Sequence, residues 1–456
     1  MENSAVIKEN KMGTMPINKL LLSMSVPMML SMLVQALYNI VDSMYVARIS
    51  EDALTAVSLA FPIQNLMIAV GTGTGVGINA LLSRSLGEKN RNYASKTANN
   101  GLLLAIASFL LFAVITSVFG KVFFAVQTDN QVIIDHGTSY IRIIGMLSFG
   151  LFFQMTLERL LQATGKTVYS MIIQMTGAVI NIILDPIFIF ALGMGVKGAA
   201  LATILSQSVG AVWVLRFLTG NKTILKLRIK NFKLKSSVIL PCLALGVSTF
   251  IMLSTESLLN ISFNSSLARF GGDIAVGSMT IISSVSQLIT LPLAGICQGA
   301  QPIASFNYGA GNKERVLKVF KYTLLLCVSY ASLGCILTLV MPRFFAGIFS
   351  SDEVLIENAA WCMRVYMAGI FSFGFQNSCQ QTFVALGQAK TSLLLACLRK
   401  LILLIPLIFI LPFFFENKVF AVFLAEPVSD ILAATVTTTT FFTRIRGILE
   451  KGAKKV

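Results

Sequence analysis

Twelve stretches of this chain, from about residues 19–46 to about 418–442, each run for roughly 20 residues or more with few charges, the length a helix needs to cross a bilayer. No water reaches backbone N–H and C=O groups at that depth, so segments of this kind must close their hydrogen bonds internally as helices. Composition agrees. Of the 456 residues 55% are hydrophobic and 12% charged, with a mean hydropathy of +0.78, more apolar surface than a soluble core of this length can bury. The first apolar run is a full span with no small-residue cleavage site after it, so it reads as a span and not as a signal peptide. The expected fold is an all-α membrane protein with twelve transmembrane helices.

The net charge of +16 does not indicate nucleic acid, because the basic residues sit in short loops between apolar runs without aromatic interleaving. Loops on one side carry Lys8, Lys11, Arg84, Lys89, Arg91, Lys166, Lys313, Arg315, Lys390 and Arg444, whereas the opposite loops carry Glu51, Asp52, Asp129, Asp273, Asp352 and Glu416. The positive-inside rule then places the basic side, and both termini, in the cytoplasm of a multi-pass cell-membrane protein. The seven cysteines lie in or beside apolar segments of the second half without CxxC spacing and read as free thiols.

Midway, residues 221–236 hold Lys222, Lys226, Arg228, Lys230, Lys233 and Lys235 and no acid, as a cytoplasmic linker between residues 1–220 and 237–456 would. Shifting the second half back by about 221–224 residues aligns Asn39-Ile40 with Asn260-Ile261 and Ala47-Arg48 with Ala268-Arg269. The same shift brings Gly75 to Gly299, Gly87 to Gly311, Ala163 and Gly165 to Ala385 and Gly387, and Lys197 to Lys418. A near-constant offset recurring in order marks an internal repeat. With six spans in each, the halves share one orientation and form two six-helix bundles about a pseudo-twofold along the membrane normal.

Charged groups at membrane depth cost at least about 2.5–3.5 kcal/mol, so they usually face a cavity and mark an ion or substrate path. Asp185 lies in the apolar run 168–192, four residues after Asn181 and so on one helix face with it, and Pro186 frees a carbonyl one turn back. Asp42 lies six residues before Arg48, about 9 Å along a helix; Asp185 is about 12 Å from Gly193, and Thr203 about 9 Å from Lys197. These similar depths allow Asp42, Asn181, Asp185 and Thr203 to converge as an all-oxygen site for a shared proton or Na⁺, although Thr203 can instead bond back to its own helix. In the second half Glu256 lies near mid-membrane, undecided between coupling and cation binding. Glu426 and Asp430 share a face opposite Arg399 and Lys400, as a structural ion-pair network would.

Gly71-Thr72-Gly73-Thr74-Gly75-Val76-Gly77 lacks the GK[ST] ending of a phosphate loop and sits mid-membrane, so its small-residue spacing predicts close helix packing. His136, the only histidine, has no Cys or His partner at metal spacing, and no bound metal is expected beyond possible Na⁺ at the acidic site.

The chain resembles the MATE multidrug and toxic compound extrusion transporters over essentially its whole length. The resemblance rests on Pro27 with Tyr38-Asn39-Ile40-Val41-Asp42, Leu161-Gln162-Ala163-Thr164-Gly165, Asn181-Ile182-Ile183-Leu184-Asp185-Pro186 and Gly195-Val196-Lys197-Gly198-Ala199-Ala200. It implies two bundles in a V and cation-coupled antiport of organic cations and amphiphiles without a cofactor, by a monomer working through alternating access of its lobes. The matching residues for coupling in the DinF-like and MepA-like branches are Asp42, Asn181, Asp185 and Thr203, whereas in the NorM-like branch coupling acids lie on the seventh and tenth spans. Glu256 matches the first of those, but the tenth span has Gln376 and Asn377 in place of an acid. Tyr38, Asn39, Glu256, Gln376 and Asn377 are therefore expected in substrate-binding or auxiliary roles. The rival reading is a lipid-linked precursor flippase of the same superfamily, which would need a cationic cavity; the first-half spans offer little besides Arg142 and Arg159 for one.

Overall fold

The structure, a computed structural model, describes residues 10–220 and 234–453; most of the expected linker, residues 221–233, lies outside the described residues. Among the described residues there is no strand. Ten helices are long and apolar enough to span a membrane, and a pair bent by 45° supplies an eleventh. The longest, Ser236–Gly309, runs 74 residues but passes through Gly272 at φ 62° and ψ −159°, which ends one span and starts another. Twelve spans result.

In the first half they are α1 (Ile17–Ala47), α2 (Glu51–Gly87), α3 (Arg91–Ala125), α4 (Gln131–Met146 bent into Phe149–Ala163), α5 (Thr167–Pro186) and α6 (Val196–Thr219). The second half has α7 (236–271), α8 (273–309), α9 (Lys313–Val340), α10 (Glu353–Ala385), α11 (Ala389–Phe413) and α12 (Lys418–Ala453). Apolar residues stand exposed along lipid-facing stripes: Leu110, Val114, Val118 and Val122 recur every four residues on α3 with 53–60% exposure.

The repeat is visible in local geometry. Lys89 and Gly311, 222 residues apart, hold positive φ values of 54° and 70° after α2 and α8. The next residue in each case, Asn90 or Asn312, caps the following helix by accepting from the N–H of Tyr93 at 3.0 Å or Arg315 at 3.1 Å. Gly165 and Gly387, again 222 apart, take φ values of 82° and 77° at the turns into α5 and α11. A π-turn accompanies each of these spans, Ile187–Ala191 continuing α5 directly after Pro186 and Leu398–Leu404 within α11 just before Pro406.

The compact units do not coincide with the sequence halves. One is Leu30–Phe250; the other joins the residues up to Met29 to those from Ile251 onward. The division falls after Met29 in α1 and after Phe250 in α7, positions 221 apart, so the first stretch of each half's leading span belongs to the opposite half's bundle. Glycines make this exchange possible. In the Leu30–Phe250 unit, a Cβ at Gly73 would lie 2.9 Å from the Gly246 carbonyl oxygen, and one at Gly77 would overlap the Cys242 carbonyl. In the other unit, a Cβ at Gly295 would lie 2.7 Å from Met29 Cα, and one at Gly299 2.6 Å from Ser25 Cα. The Ser25 hydroxyl also donates to the Ile296 carbonyl at 3.1 Å. The glycine run of α2 is thus a helix-packing surface.

Candidate functional site

Three spans of the Leu30–Phe250 unit build an acidic cluster. On α1, Tyr38 and Asp42 are one turn apart and share a face, both half-buried. On α5, Asn181 is 1% and Asp185 0% exposed, and the Asn181 amide donates to Asp185 Oδ1 at 3.2 Å. The side chains of Asp42 and Asp185 lie within electrostatic reach of one another. Two ionised carboxylates have only acceptors to offer each other, so such a pair is satisfied by a proton or a cation between them. Asp42 Oδ1, Asp185 Oδ2 and Asn181 Oδ1 are all buried and receive no donor.

Tyr38 lies within electrostatic reach of Asp42, Asp185 and Glu158. Glu158 is only 8% exposed on α4 and accepts from Gln154 at 2.9 Å. Tyr140, 2% exposed on the same bent span, senses Asp42, Asp185 and Tyr38 and takes a hydrogen bond at 3.0 Å from the Gln64 amide on α2. Glu158, Tyr140 and Gln64 were absent from the expectations above. Glu158 could have been found, since it too is an acid within an apolar run; the polar faces of Gln64 and Tyr140 carry no such signal.

The other anticipated residues stand apart from this cluster's contacts. Thr203 donates its hydroxyl to the Ala199 carbonyl of its own helix at 3.1 Å. Asn39 is exposed, and its carbonyl accepts from Ser43 at 2.9 Å. Glu256, Gln376 and Asn377 belong to the other unit. There Glu256 is ion-paired with Lys400, whose side chain is 4% exposed and also donates to the Met252 carbonyl at 2.6 Å. Lys400 therefore serves Glu256 and not the acids of α12; Arg399 alone bridges those, at 2.9 Å to Glu426 and 2.7 Å to Asp430. Gln376 and Asn377 are buried on α10, with Gln376 Oε1 lacking a donor. All seven cysteines are free thiols.

Two curated relatives named multidrug export protein MepA, from Staphylococcus aureus (strain NCTC 8325 / PS 47) and Staphylococcus haemolyticus (strain JCSC1435), are each 25% identical to the chain. The first alignment covers 92% of this chain and 93% of the relative, the second 91% and 92%. Among solved structures, a MATE protein in complex with MaL6 superposes with a TM-score of 0.92 at 22% identity, covering 97% of this chain and 99% of that one. A MOP-superfamily transporter from Pyrococcus furiosus Vc1 (DSM3638) does so with a TM-score of 0.90 at 23% identity, covering 97% and 98%. The family model described as MatE matches residues 27–187 and again 249–410, one match in each half of the repeat, and the chain belongs to the MATE family of membrane transporters.

Proposed function

We propose that the protein is a secondary active exporter of amphiphilic and cationic organic molecules, driven by H⁺ or Na⁺ entering through the Asp42–Asp185 pair. One observation carries this reading: two membrane-embedded carboxyl groups lie within electrostatic reach of each other, and each keeps a buried oxygen without a donor among the described residues. A site so built is complete only when a proton or small cation occupies it. Occupation removes the repulsion between the acids and lets α1 and α5 approach; vacancy favours their separation. A bound cation shifts such an equilibrium only by its differential affinity for the two states, and a pair of adjacent carboxyls provides that difference. Proline supplies the mechanical element. Pro27 interrupts α1 about four helical turns before Asp42, and Pro186 follows Asp185 at the π-turn, so rearrangement at the acids is transmitted where backbone hydrogen bonds are already missing.

Tyr38, Tyr140 and Glu158 bring aromatic faces and an additional acid to the same cluster, a chemistry that suits flat lipophilic cations. That the two relatives are named multidrug export proteins supports the same direction of transport. The protein would act as a monomer in the cell membrane, without a cofactor and with both ends in the cytoplasm. The test is drug efflux from vesicles under an imposed pH gradient and, separately, an imposed Na⁺ gradient. Collapse of efflux with one gradient identifies the coupling ion. Efflux indifferent to both gradients, or equal protection of a sensitive host against anionic and cationic dyes, would overturn the proposal.

A further inference from the structure

The polar end of α9, on the side of the bundle bearing the basic loops, encloses a cavity of about 340 Å³. Its walls include Asn18 from the first turn of α1 and Asn312, Glu314, Arg315, Lys318 and Tyr322 around the start of α9. Arg315 is held rigidly. Its Nε donates to Asn307 Oδ1 at 2.9 Å, and its Nη2 donates to the carbonyls of Met12 at 3.1 Å and Met15 at 2.8 Å. All three acceptors are neutral, so among the described residues no carboxylate balances the guanidinium charge at this wall. Lys318 pairs with Glu314 at 2.6 Å, but both side chains are exposed, at 56% and 77%, and such a pair contributes little. Lys321 is exposed one turn further along the same helix.

What leads away from the cavity identifies its occupant. Four and eight residues after Asn18, on the same face of α1, stand Leu22 and Val26, exposed by 50% and 44%. On α9, Lys318 is followed after one turn by Tyr322, 40% exposed, and then by Leu325, 60% exposed. A fixed cation at a polar mouth, a tyrosine at its lip and two apolar strips below it form the profile of a phospholipid at the membrane interface. A soluble anion would use only the mouth.

We propose that this cavity binds the phosphate headgroup of an anionic phospholipid, with Arg315 and Lys318 as its cationic ligands and the acyl chains lying along Leu22, Val26 and Leu325. Glu314 opposes the headgroup and limits its affinity. The reading does not depend on the coupling site. It is tested with the full-length protein in detergent micelles by native mass spectrometry, after equilibration with phosphatidylglycerol, phosphatidylcholine or inorganic phosphate. Phosphatidylglycerol should be retained preferentially, about fivefold less so in Lys318→Gln and more strongly in Glu314→Gln than in the native protein. The gain in Glu314→Gln cannot arise from misfolding. Equal retention of the two lipids, no response to either substitution, or displacement of phosphatidylglycerol by millimolar inorganic phosphate would each overturn the proposal.

Discussion

Asp185 is wholly buried in a largely apolar span, where Oδ1 accepts from the Asn181 amide and Oδ2 has no donor among the described residues. Replacing either acid by Asn keeps the size and removes the titratable charge, so Asp42→Asn and Asp185→Asn should each abolish gradient-driven efflux while drug binding persists. If they act as one site, the double substitution is little worse than either alone, because groups working as a unit are not additive. Drug-elicited ion flux in vesicles measures this; full coupling in both single variants would remove the site from the mechanism. Glu256→Gln should behave differently, because it leaves the buried Lys400 ammonium unpaired and lowers thermal stability along with transport. A second residue-scale expectation concerns Lys89, which holds the left-handed turn that its counterpart Gly311 makes without strain. Lys89→Gly should raise the unfolding temperature, gaining about 1 kcal/mol, as followed by thermal denaturation in detergent. Acids at membrane depth were legible as individual residues; that Glu158 nears Tyr38, and that Gln64 bonds Tyr140 beside the pair, was not, since the packing of α4 and α2 brings them there.

Between elements, the glycines of α2 are not equivalent although the sequence spaces them evenly. A Cβ at Gly71 would crowd the sulfur of the flexible Met155 side chain, 2.6 Å away, with the Phe152 ring at an ordinary 3.5 Å, whereas one at Gly77 would strike the Cys242 backbone. Gly71→Ala should therefore leave the yield of monodisperse protein nearly unchanged and Gly77→Ala should reduce it severely, as size-exclusion chromatography reports; the opposite order would show that the packing of α2 on α7 is misread. The α11–α12 network behaves as a unit of a different kind. Arg399 is paired with both Glu426 and Asp430 and lies 4.7 Å from the Phe373 ring, so Arg399→Met strands two acids and should cost about 3–5 kcal/mol, seen as a lowered unfolding temperature, while Glu426→Gln should cost much less. Spacing on one helix face made the α12 pair readable from sequence. The division of labour between adjacent Arg399 and Lys400 was not, because the π-turn that carries both redirects neighbouring side chains to different spans.

For the whole molecule, the compact units exchange the leading parts of α1 and α7, so neither sequence half contains everything its own bundle needs. Residues 1–233 and 234–456 expressed separately should be protease-sensitive, and co-expression should restore resistant bundles; a stable isolated half would contradict the exchange. A single cysteine at the exposed Ser236, in a background without the seven native thiols, should label from the cytoplasmic side, and labelling only from outside would invert the topology. The sequence by itself determined the all-helical membrane fold, the twelve spans, the repeat and the acids on α1 and α5. These follow from local composition, helical period and the cost of charge in lipid, all of which act along a single chain segment. Only the tertiary structure decided that Asp42 and Asp185 come within electrostatic reach of each other, that Thr203 bonds within its own helix, that Lys400 serves Glu256, and where one bundle ends and the other begins. Each of those depends on how closely two distant backbones approach, which is set at a few glycines and proline breaks whose packing partners no single segment specifies.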